Sequence, residues 1–269
     1  MRKLIINLYK IKILKRLVPS VLKIFLKIMN KYDIIINHNN LLLKLNLKNP
    51  IDREIYLRDA YENQQIRYLR ELIVKEEVEI FIDIGSHMGF YTVNLSQLVK
   101  SVFSFEPIIE NFNQLKENIK INNFKNVKIY NLALSNIKKK IIMWVPIKDK
   151  TGGFSIYNKR DEELKKYAHN SIYKKKVSCD ILDEILTFKK KKIVIKIDVE
   201  RHEKNVIEGA INLLKKNNVL LQVEIFESRK KDVFKILKNV GYKFIKAVNK
   251  DYYLKNYNHL RKKFSKLNL

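Results

Sequence analysis

Several residue types are scarce in this chain, and each scarcity excludes a class of structure. Its 269 residues include one cysteine, four prolines and six glycines. The single cysteine, Cys179, excludes an intrachain disulfide and a cysteine-based zinc site, so we interpret it as a small buried apolar residue. No run approaches the ~18 consecutive apolar residues that a membrane-spanning helix needs. Because glycine and proline are few, we expect each of them to mark a real turn.

Acidic residues are scarce relative to basic ones. The chain has 55 lysines and arginines against 28 aspartates and glutamates, which gives a formal net charge of +27. The excess is spread over nearly every segment, so we do not expect a dedicated nucleic-acid surface, although RNA, anionic lipid and acidic glycan would all be attracted. Basic residues interrupt the N-terminus and no small-residue cleavage site follows. We therefore expect a cytoplasmic protein without a secretory signal.

Residues 1–31 form a basic N-terminal segment with nine lysines and arginines and no acid before Asp33. Apolar residues recur there at helical spacing, with Pro19 as an interruption: Ile5, Leu8, Ile11, Leu14, Val18, Leu22, Phe25 and Met29. A basic amphipathic helix of this kind either lies on an anionic membrane surface, here the inner one, or packs its stripe on its own domain. The sequence leaves both interpretations open.

Strand-like and helix-like segments alternate from Val78 onward, which predicts an α/β domain with a mostly parallel sheet. The predicted core strands are 79–84, 102–106, 127–130, 193–198, 219–226 and 242–248, with extra strands at 140–144 and 175–179. We divide the chain into a basic extension over 1–50 with an amphipathic helix and a hairpin, an α/β domain over 51–248, and a basic tail over 249–269. The oligomeric state is left open.

A glycine turn between two predicted strands carries the clearest functional signal. In Phe81-Ile-Asp-Ile-Gly-Ser-His-Met-Gly-Phe90 a buried strand breaks into a helix, and the next strand ends at Glu106. Such a turn lets the backbone approach a nucleoside closely. The carboxylate of the acidic residue, here Glu106, then accepts hydrogen bonds from the ribose hydroxyls. The spacing Asp83-x-Gly85-x-x-x-Gly89 has too few glycines for a dinucleotide, and its carboxylate would repel a pyrophosphate. That carboxylate suits the ammonium of S-adenosylmethionine, which predicts a methyltransferase core.

A second candidate cluster ends the strand at 193–198, in Lys196-Ile-Asp-Val-Glu-Arg-His-Glu203. Ligands bind at the carboxyl ends of such strands. Methyl transfer to a hydroxyl needs an aligned oxygen, worth up to ~7–11 kcal/mol, and a base, worth about 10²–10⁴-fold. The candidate catalytic residues are Asp198, Glu200 and His202. His202 is the best base near neutral pH, unless it is a surface histidine at a helix start.

Other acids and the segment 131–135 complete the candidate site. The predicted cofactor-binding residues are Asp83, Gly85, Ser86, Gly89, Glu106 and Leu134, and the predicted substrate-side residues are Asp180, Arg201, Glu203 and Glu224. Glu224 either lines the pocket or is neutralised by neighbouring lysines. Asp180, Asp198, Glu200 and Glu203 carry the hard oxygen ligands that magnesium prefers, but their spacing matches no dedicated metal loop. We therefore predict no metal.

These motifs, in this order, resemble the FkbM-type family of S-adenosylmethionine-dependent methyltransferases. The matching segments are 81–92, 105–107, 131–135, 177–180 and 195–200, together with Glu203. The resemblance implies a class I methyltransferase fold, a Rossmann-like doubly wound sheet, and methyl transfer mostly to hydroxyls of sugars, glycolipids or polyketide-like metabolites. It carries over Asp83, Gly85 and Glu106 as cofactor contacts, and Asp180, Asp198, Glu200 and Glu203 as substrate-side residues.

Two departures from the family pattern affect the acceptor. Arg201 stands where the family usually has glycine, and it would narrow the pocket or pair with an anionic acceptor. Ser86 and His87 replace the more usual alanine-asparagine pair. We predict an O-methyltransferase acting on a small-molecule or glycan acceptor. The alternatives are an RNA ribose methyltransferase, favoured by the charge, and a membrane-surface binding protein that has kept the fold and lost catalysis.

Overall fold

The computed structural model describes residues 2–58, 61–146 and 172–257. Residues 147–171, which lie between the two predicted extra strands, and the end of the basic tail lie outside these described residues. The helices are α1 (Arg2–Lys10), α2 (Leu17–Met29), α3 (Pro50–Leu57), α4 (Asn63–Glu76), α5 (Phe90–Leu95), α6 (Ile109–Ile121), α7 (Leu182–Ile185), α8 (Glu203–Glu208), α9 (Ile211–Lys216) and α10 (Glu227–Asn239). The strands are β1 (Asp33–His38), β2 (Leu41–Asn46), β3 (Ile80–Ile84), β4 (Ser101–Phe105), β5 (Val127–Tyr130), β6 (Ala133–Leu134), β7 (Lys139–Pro146), β8 (Ile172–Asp180), β9 (Lys192–Ile197), β10 (Asn218–Glu224), β11 (Lys243–Val248) and β12 (Asp251–Lys255).

Seven strands form the central sheet, in the order β11-β12-β10-β9-β3-β4-β5. The pairs from β10 to β5 are parallel, whereas β12 runs antiparallel to β10 and β11. The predicted α/β class with a mostly parallel sheet is confirmed. β3 and β9 lie side by side, and the strands that follow each of them extend in opposite directions. A ligand crevice is therefore expected at the carboxyl ends of these two strands.

The apolar sequence of the central strands explains why they are buried on both faces. β3 is buried at all five positions, as expected for a parallel strand covered on two sides. Successive side chains of β3 point into two different hydrophobic cores: Phe81 belongs to one and Ile82 to the other. The neighbouring strand β9 does the same, with Val194 in the first core and Ile195 in the second. The sheet thus separates two cores, and its edges expose the polar strand ends.

The predicted C-terminal boundary at residue 248 is wrong. Residues 251–255, assigned to the basic tail, form β12, which inserts between β10 and β11. Tyr253 and Leu254 of this strand are buried. Lysines on both sides of this short apolar segment made it look like part of the tail. The predicted strand over 242–248 does lie at the edge of the sheet, but it pairs with β12.

The predicted hairpin before residue 50 is present as β1 and β2. Leu43 and Leu45 of β2 are fully buried in the same core as Phe81 of the central sheet. The outer edge of β2 is paired by side-chain amides of α6, because the Lys44 backbone N–H donates to Asn118 Oδ1 over 2.6 Å. The boundary predicted at residue 50 therefore does not separate two cores.

The basic N-terminal segment folds as two helices, and the break does not lie at Pro19 as the sequence suggested. α1 ends at Lys10, and α2 begins at Leu17, so Pro19 lies in the first turn of α2, where no intrahelical donor is missing. Within the described residues no helix is both long and apolar enough to cross a membrane.

The predicted extra strands are also present, as β7 and β8. Together with the short β6 they form a separate three-stranded sheet in the order β6-β8-β7. After β9 the chain forms two short helices, α8 and α9, separated by Gly209 and Ala210.

Candidate active site

A cleft opens at the carboxyl ends of β3, β4 and β9, where the sheet topology places a ligand crevice. It encloses roughly 970 Å³, including space open to solvent. Seven residues predicted from the sequence line it: Gly85, Ser86, Glu106, Leu134, Asp198, Glu200 and His202. The structure thus brings the glycine turn, the acid of the second strand and the acidic end of β9 to one site.

Gly85 lets the turn after β3 pass close to the end of β9. Its φ is +77°, and a Cβ built there would lie 1.9 Å from the Asp198 carbonyl oxygen. The turn is also tied to β4, because the backbone N–H groups of Gly85 and Ser86 both donate to the Phe105 carbonyl, over 3.0 and 3.1 Å. A side chain at residue 85 would therefore force the two strand ends apart.

Glu106 presents a buried carboxylate to the cleft. It accepts hydrogen bonds from the backbone N–H of His87 (2.9 Å) and of Ile108 (2.8 Å), and from Asn111 Nδ2 (3.4 Å). Burial raises the pKa of Glu106 to about 7, even though these donors favour the ionised form. The donors fix the carboxylate in place, and an ionised carboxylate accepts further hydrogen bonds from ligand hydroxyls.

Asp83 does not lie where the sequence suggested. It is fully buried and is not among the residues that line the cleft. Its Oδ2 accepts from the Thr92 backbone N–H (3.1 Å) and from Thr92 Oγ1 (2.7 Å), because its side chain points to the side of the sheet that α5 covers. Burial raises the pKa of Asp83. Asp83 thus holds the start of α5, and its predicted contact with the cofactor stays a prediction.

Gly89 is also outside the cleft lining. Its φ is +88°, and a Cβ there would lie 2.5 Å from Leu115 Cδ1, so the glycine is needed for the packing of α6 against α5. Gly89 thus has a packing role, and its predicted cofactor contact stays a prediction.

Lys196 is the main functional-site residue that the sequence reasoning missed. It lines the cleft, its side chain is buried, and its Nζ lies 3.2 Å from Asp198 Oδ2. The ammonium also lies 4.8 Å from the centre of the Tyr91 ring. Burial would lower the pKa of Lys196, but the carboxylates of Asp198, Asp83 and Glu62 raise it above its usual value. A signal was present in the sequence, because Lys196 is the one charged residue inside the apolar run 193–197.

Asp198 is held in its ionised form by this lysine. Burial alone would raise the pKa of Asp198, but the neighbouring Lys196 ammonium holds it below the usual range. Glu224, which shares a hydrogen bond with Asp198, shows the opposite shift: burial and repulsion from Asp198 raise its pKa to about 9. The pair therefore carries one negative charge near neutral pH, with the proton on Glu224.

Glu200 and His202 both line the cleft. Burial and the neighbouring charges of Asp198 and Glu203 raise the pKa of Glu200 to about 8. Burial lowers the pKa of His202 to about 4, and its Nε2 lies 2.9 Å from Ser135 Oγ. The alternative of a surface histidine is therefore wrong, and His202 is a neutral buried side chain at physiological pH.

Three predicted substrate-side residues lie outside the cleft lining: Asp180, Arg201 and Glu203. Asp180 forms an ion pair with Lys138 over 3.3 Å. Glu203 is buried in the first turn of α8 and accepts from the Arg201 backbone N–H over 2.7 Å. Each carboxylate thus serves local structure, which its position in the sequence did not reveal.

Arg201 neither narrows the cleft nor faces it. Its guanidinium carbon lies 5.1 Å from the centre of the Phe226 ring. Its φ is +76°, in the left-handed region that the family's usual glycine adopts without strain. The preceding Glu200 has a φ of +49°, so two consecutive residues other than glycine hold this strained loop.

A side cavity adjoins the cleft and shares Glu62, Lys196 and Asp198 with it. It encloses roughly 490 Å³, including open solvent. The rest of its described lining is Gln65, Glu224, Asn249, Lys250 and Asp251. Every described lining residue is therefore polar or charged. Glu62 and Asp251 were also missed from the sequence, because they lie in a connecting segment and in the unpredicted β12. Burial raises the pKa of both.

No metal site is evident from the geometry of the described residues. Among them, no three side chains of histidine, cysteine, aspartate or glutamate are grouped so as to hold a metal ion.

Comparison with known proteins identifies the family. The methyltransferase FkbM domain matches residues 83–244, more than half of the chain. The chain belongs to this family. Its domain is that of an S-adenosylmethionine-dependent methyltransferase and has a class I methyltransferase fold, as the motifs predicted. The cleft fits this cofactor, because it combines a fixed buried carboxylate directly after β4 with a turn that has no side chain at residue 85.

Solved structures with a similar arrangement are distant from this chain. The FkbM methyltransferase from Methylobacillus flagellatus KT is 14% identical, with a TM-score of 0.45 over 67% of this chain and 44% of that one. M. jannaschii TYW2 in complex with AdoMet is 17% identical, with a TM-score of 0.44 over 84% of both chains. Trm5b from Pyrococcus abyssi is 14% identical, with a TM-score of 0.43 over 84% of this chain and 55% of that one. This chain thus spans less than half of the Methylobacillus chain. No curated protein matches it.

Proposed function

We propose that this methyltransferase transfers a methyl group to a hydroxyl of a sugar, glycan or glycolipid, and so takes part in polysaccharide biosynthesis. The observation that carries this proposal is the side cavity, whose described lining is entirely polar or charged. Most small-molecule pockets are lined mainly by apolar and aromatic side chains with a few polar groups. A polyhydroxylated acceptor offers the many hydrogen-bond donors and acceptors that this lining can satisfy.

The cofactor end of the cleft is assigned by its chemistry. S-adenosylmethionine supplies an electrophilic methyl group on a sulfonium. Glu106 accepts hydrogen bonds from its ribose hydroxyls, Gly85 and Ser86 bring backbone close to it, and Leu134 provides an apolar wall for its adenine. Asp83 acts from behind the cleft, where it fixes α5 and balances the charge of Lys196.

On the acceptor side, Asp198 and Glu200 take different roles because their pKa values are shifted in opposite directions. Asp198 stays ionised beside Lys196 and is suited to accept a hydrogen bond that orients the acceptor hydroxyl. Glu200, whose pKa is about 8, is matched to neutral pH as the base that removes the hydroxyl proton. His202, with a pKa of about 4, is too weakly basic for this step and supports the cleft wall beside Ser135.

A labelling experiment tests the acceptor class. The purified full chain is incubated with methyl-labelled S-adenosylmethionine and, in parallel, with oligosaccharide, glycolipid and total RNA fractions. We expect label in a glycan or glycolipid fraction, recovered as an O-methyl sugar by mass spectrometry and absent with the Asp198→Asn variant. Label only in RNA, recovered as a 2′-O-methyl nucleoside, would overturn the proposal and favour ribose methylation, which the net charge of +27 also suits.

A further inference from the structure

The two N-terminal helices carry most of the exposed apolar surface of the described chain. Of the 17 large hydrophobic side chains that are exposed there, ten lie between Leu4 and Met29. Soluble proteins rarely expose a contiguous apolar patch of this kind unless it meets a partner. The surface is not explained by methyl transfer, because none of these residues lines the cleft or the side cavity.

α2 has two apolar faces. Leu22 and Leu26 on one face are buried in the core of the methyltransferase domain. On the other face, Leu17, Val21, Ile24 and Ile28 are exposed at spacings of three and four residues, which places them in one stripe along the helix. The sequence left open whether the helix packs on its own domain or lies on a membrane. Packing on the domain accounts for only one of the two apolar faces of α2.

α1 repeats this arrangement. Ile6 is buried, whereas Leu4 and Leu8 are exposed one turn apart on the helix, and Ile11, directly after its end, is also exposed. The Arg2 guanidinium donates to the backbone carbonyls of Tyr56 (3.1 Å) and Ile55 (3.3 Å), which ties α1 to α3. The exposed stripes are thus held on a folded support.

The charge of the segment selects the partner. Residues 1–31 contain nine lysines and arginines and no acid. Lys23 and Lys27 are exposed on α2. They are four residues apart, so they lie in a row along one side of the apolar stripe. A surface that combines aliphatic side chains with flanking lysines is complementary to anionic headgroups above an acyl layer.

We propose that α1 and α2 dock the enzyme on an anionic membrane surface, with their exposed stripes at the boundary between headgroups and acyl chains. The exposed stripes consist of leucine, isoleucine and valine, whereas protein interfaces are enriched in tyrosine, tryptophan and arginine. α2 has 13 residues, well short of the ~20 that span a bilayer, so it lies along the surface. Docking holds α3, whose Ile51 lines the cleft, at a fixed place relative to the membrane.

Vesicle co-sedimentation of the full chain tests this proposal. The vesicles contain phosphatidylcholine alone or phosphatidylcholine with about one third phosphatidylglycerol. We expect binding to the anionic vesicles that weakens as salt is raised, and at least ~10-fold weaker partitioning for the triple variant Val21→Ser/Ile24→Ser/Ile28→Ser. The matched control, Val74→Ser/Ile137→Ser/Ile142→Ser, removes exposed apolar side chains elsewhere and should bind like wild type.

A second readout does not depend on the variants. Amide hydrogen exchange over 17–29 should slow when anionic vesicles are added, while exchange over 63–76 should not change. Absence of vesicle binding by the wild type, or equal binding by the triple variant, would overturn the proposal. A wild-type dimer that the triple variant converts to monomer, without binding to vesicles, would instead assign the face to a second copy of the chain.

Discussion

Lys196 Nζ lies 3.2 Å from Asp198 Oδ2, and this pair, with its lysine buried and its aspartate 33% exposed, stands between the cofactor cleft and the side cavity. The ammonium is surrounded by carboxylates on several elements, among them Asp83 on β3 and Glu62 before α4. Breaking a buried ion pair by removing one partner leaves the other charge uncompensated, which costs more than the intact pair contributes. The pair is therefore expected to matter for both stability and activity.

Lys196→Met should destabilise the protein by up to about 3 kcal/mol at neutral pH, because the partly buried Asp198 carboxylate would lose its counter-charge and its hydrogen-bond donor. Urea unfolding followed by circular dichroism measures this. Lys192→Met is the control, because Lys192 forms an exposed ion pair with Glu77 and should cost less than about 1 kcal/mol. The double variant Lys196→Met/Asp198→Asn should recover part of the loss. A Lys196→Met protein as stable as the control would contradict this account.

Glu224→Gln should make the protein less sensitive to alkaline pH. The pKa of Glu224 is raised in the folded state to about 9, so the folded state binds a proton that the unfolded state releases above about pH 4. This group's stabilising contribution is present at low pH and is lost as pH rises toward 9. Relative to the variant, wild type should lose about 1 kcal/mol of unfolding free energy per pH unit between pH 6 and 9.

Glutamine at position 224 is neutral and retains a donor for Asp198, so it mimics the protonated glutamate. Denaturant titrations at several pH values provide the measurement. Glu227→Gln, at an exposed position, should follow the wild-type curve. If wild type and Glu224→Gln kept a constant stability difference across this pH range, Glu224 would not carry the raised pKa.

Glu106→Gln should weaken S-adenosylmethionine binding by about 10- to 100-fold, because a hydrogen bond to a charged group contributes about 1.5–3 kcal/mol. The amide keeps the shape of the side chain but has a single acceptor oxygen, so one of the two backbone N–H groups, of His87 or of Ile108, also loses its acceptor. Calorimetry on both proteins measures the difference. Glu110→Gln, an exposed change one turn further along, should bind the cofactor like wild type. Equal affinities for Glu106→Gln and wild type would remove Glu106 from the cofactor site.

The pH dependence of kcat/KM separates the two candidate bases. If Glu200 takes the hydroxyl proton, the rate should rise with pH up to about 8 and then level off, because the base must be deprotonated in the free enzyme. If His202 were the base, the plateau should begin near pH 4. Glu200→Gln should lower kcat by about 10²–10⁴-fold and abolish the rising limb, whereas His202→Gln should leave that limb in place.

Sequence reasoning predicted the sheet, the glycine turn and the lining positions 85, 106, 198 and 200, because these follow from strand spacing and from where parallel strands end. It failed where burial decides the role of a side chain. Asp83 and Glu203 look like ligand carboxylates in the sequence, but their side chains point into the protein and bind Thr92 and backbone. β12 was missed because lysines flank its short apolar segment, and with it Asp251 was missed from the side cavity.

The φ angle of Arg201 connects the family's preference for glycine at this position with the stability of the protein. Its φ of +76° favours glycine, since a side chain in the left-handed region costs roughly 1–2 kcal/mol. Arg201→Gly and Arg201→Ala both lose the contact with the Phe226 ring, so their difference isolates the backbone strain. We expect the glycine variant to be more stable than the alanine variant by about 1 kcal/mol in urea unfolding.

The same pair of substitutions at an ordinary helical position should give the opposite order. Lys231 is exposed within α10, where glycine is less stable than alanine by about 0.5–1 kcal/mol. If Arg201→Ala were instead the more stable of the two at position 201, the loop would not be strained there. The departure from the family's glycine would then have no cost in backbone strain.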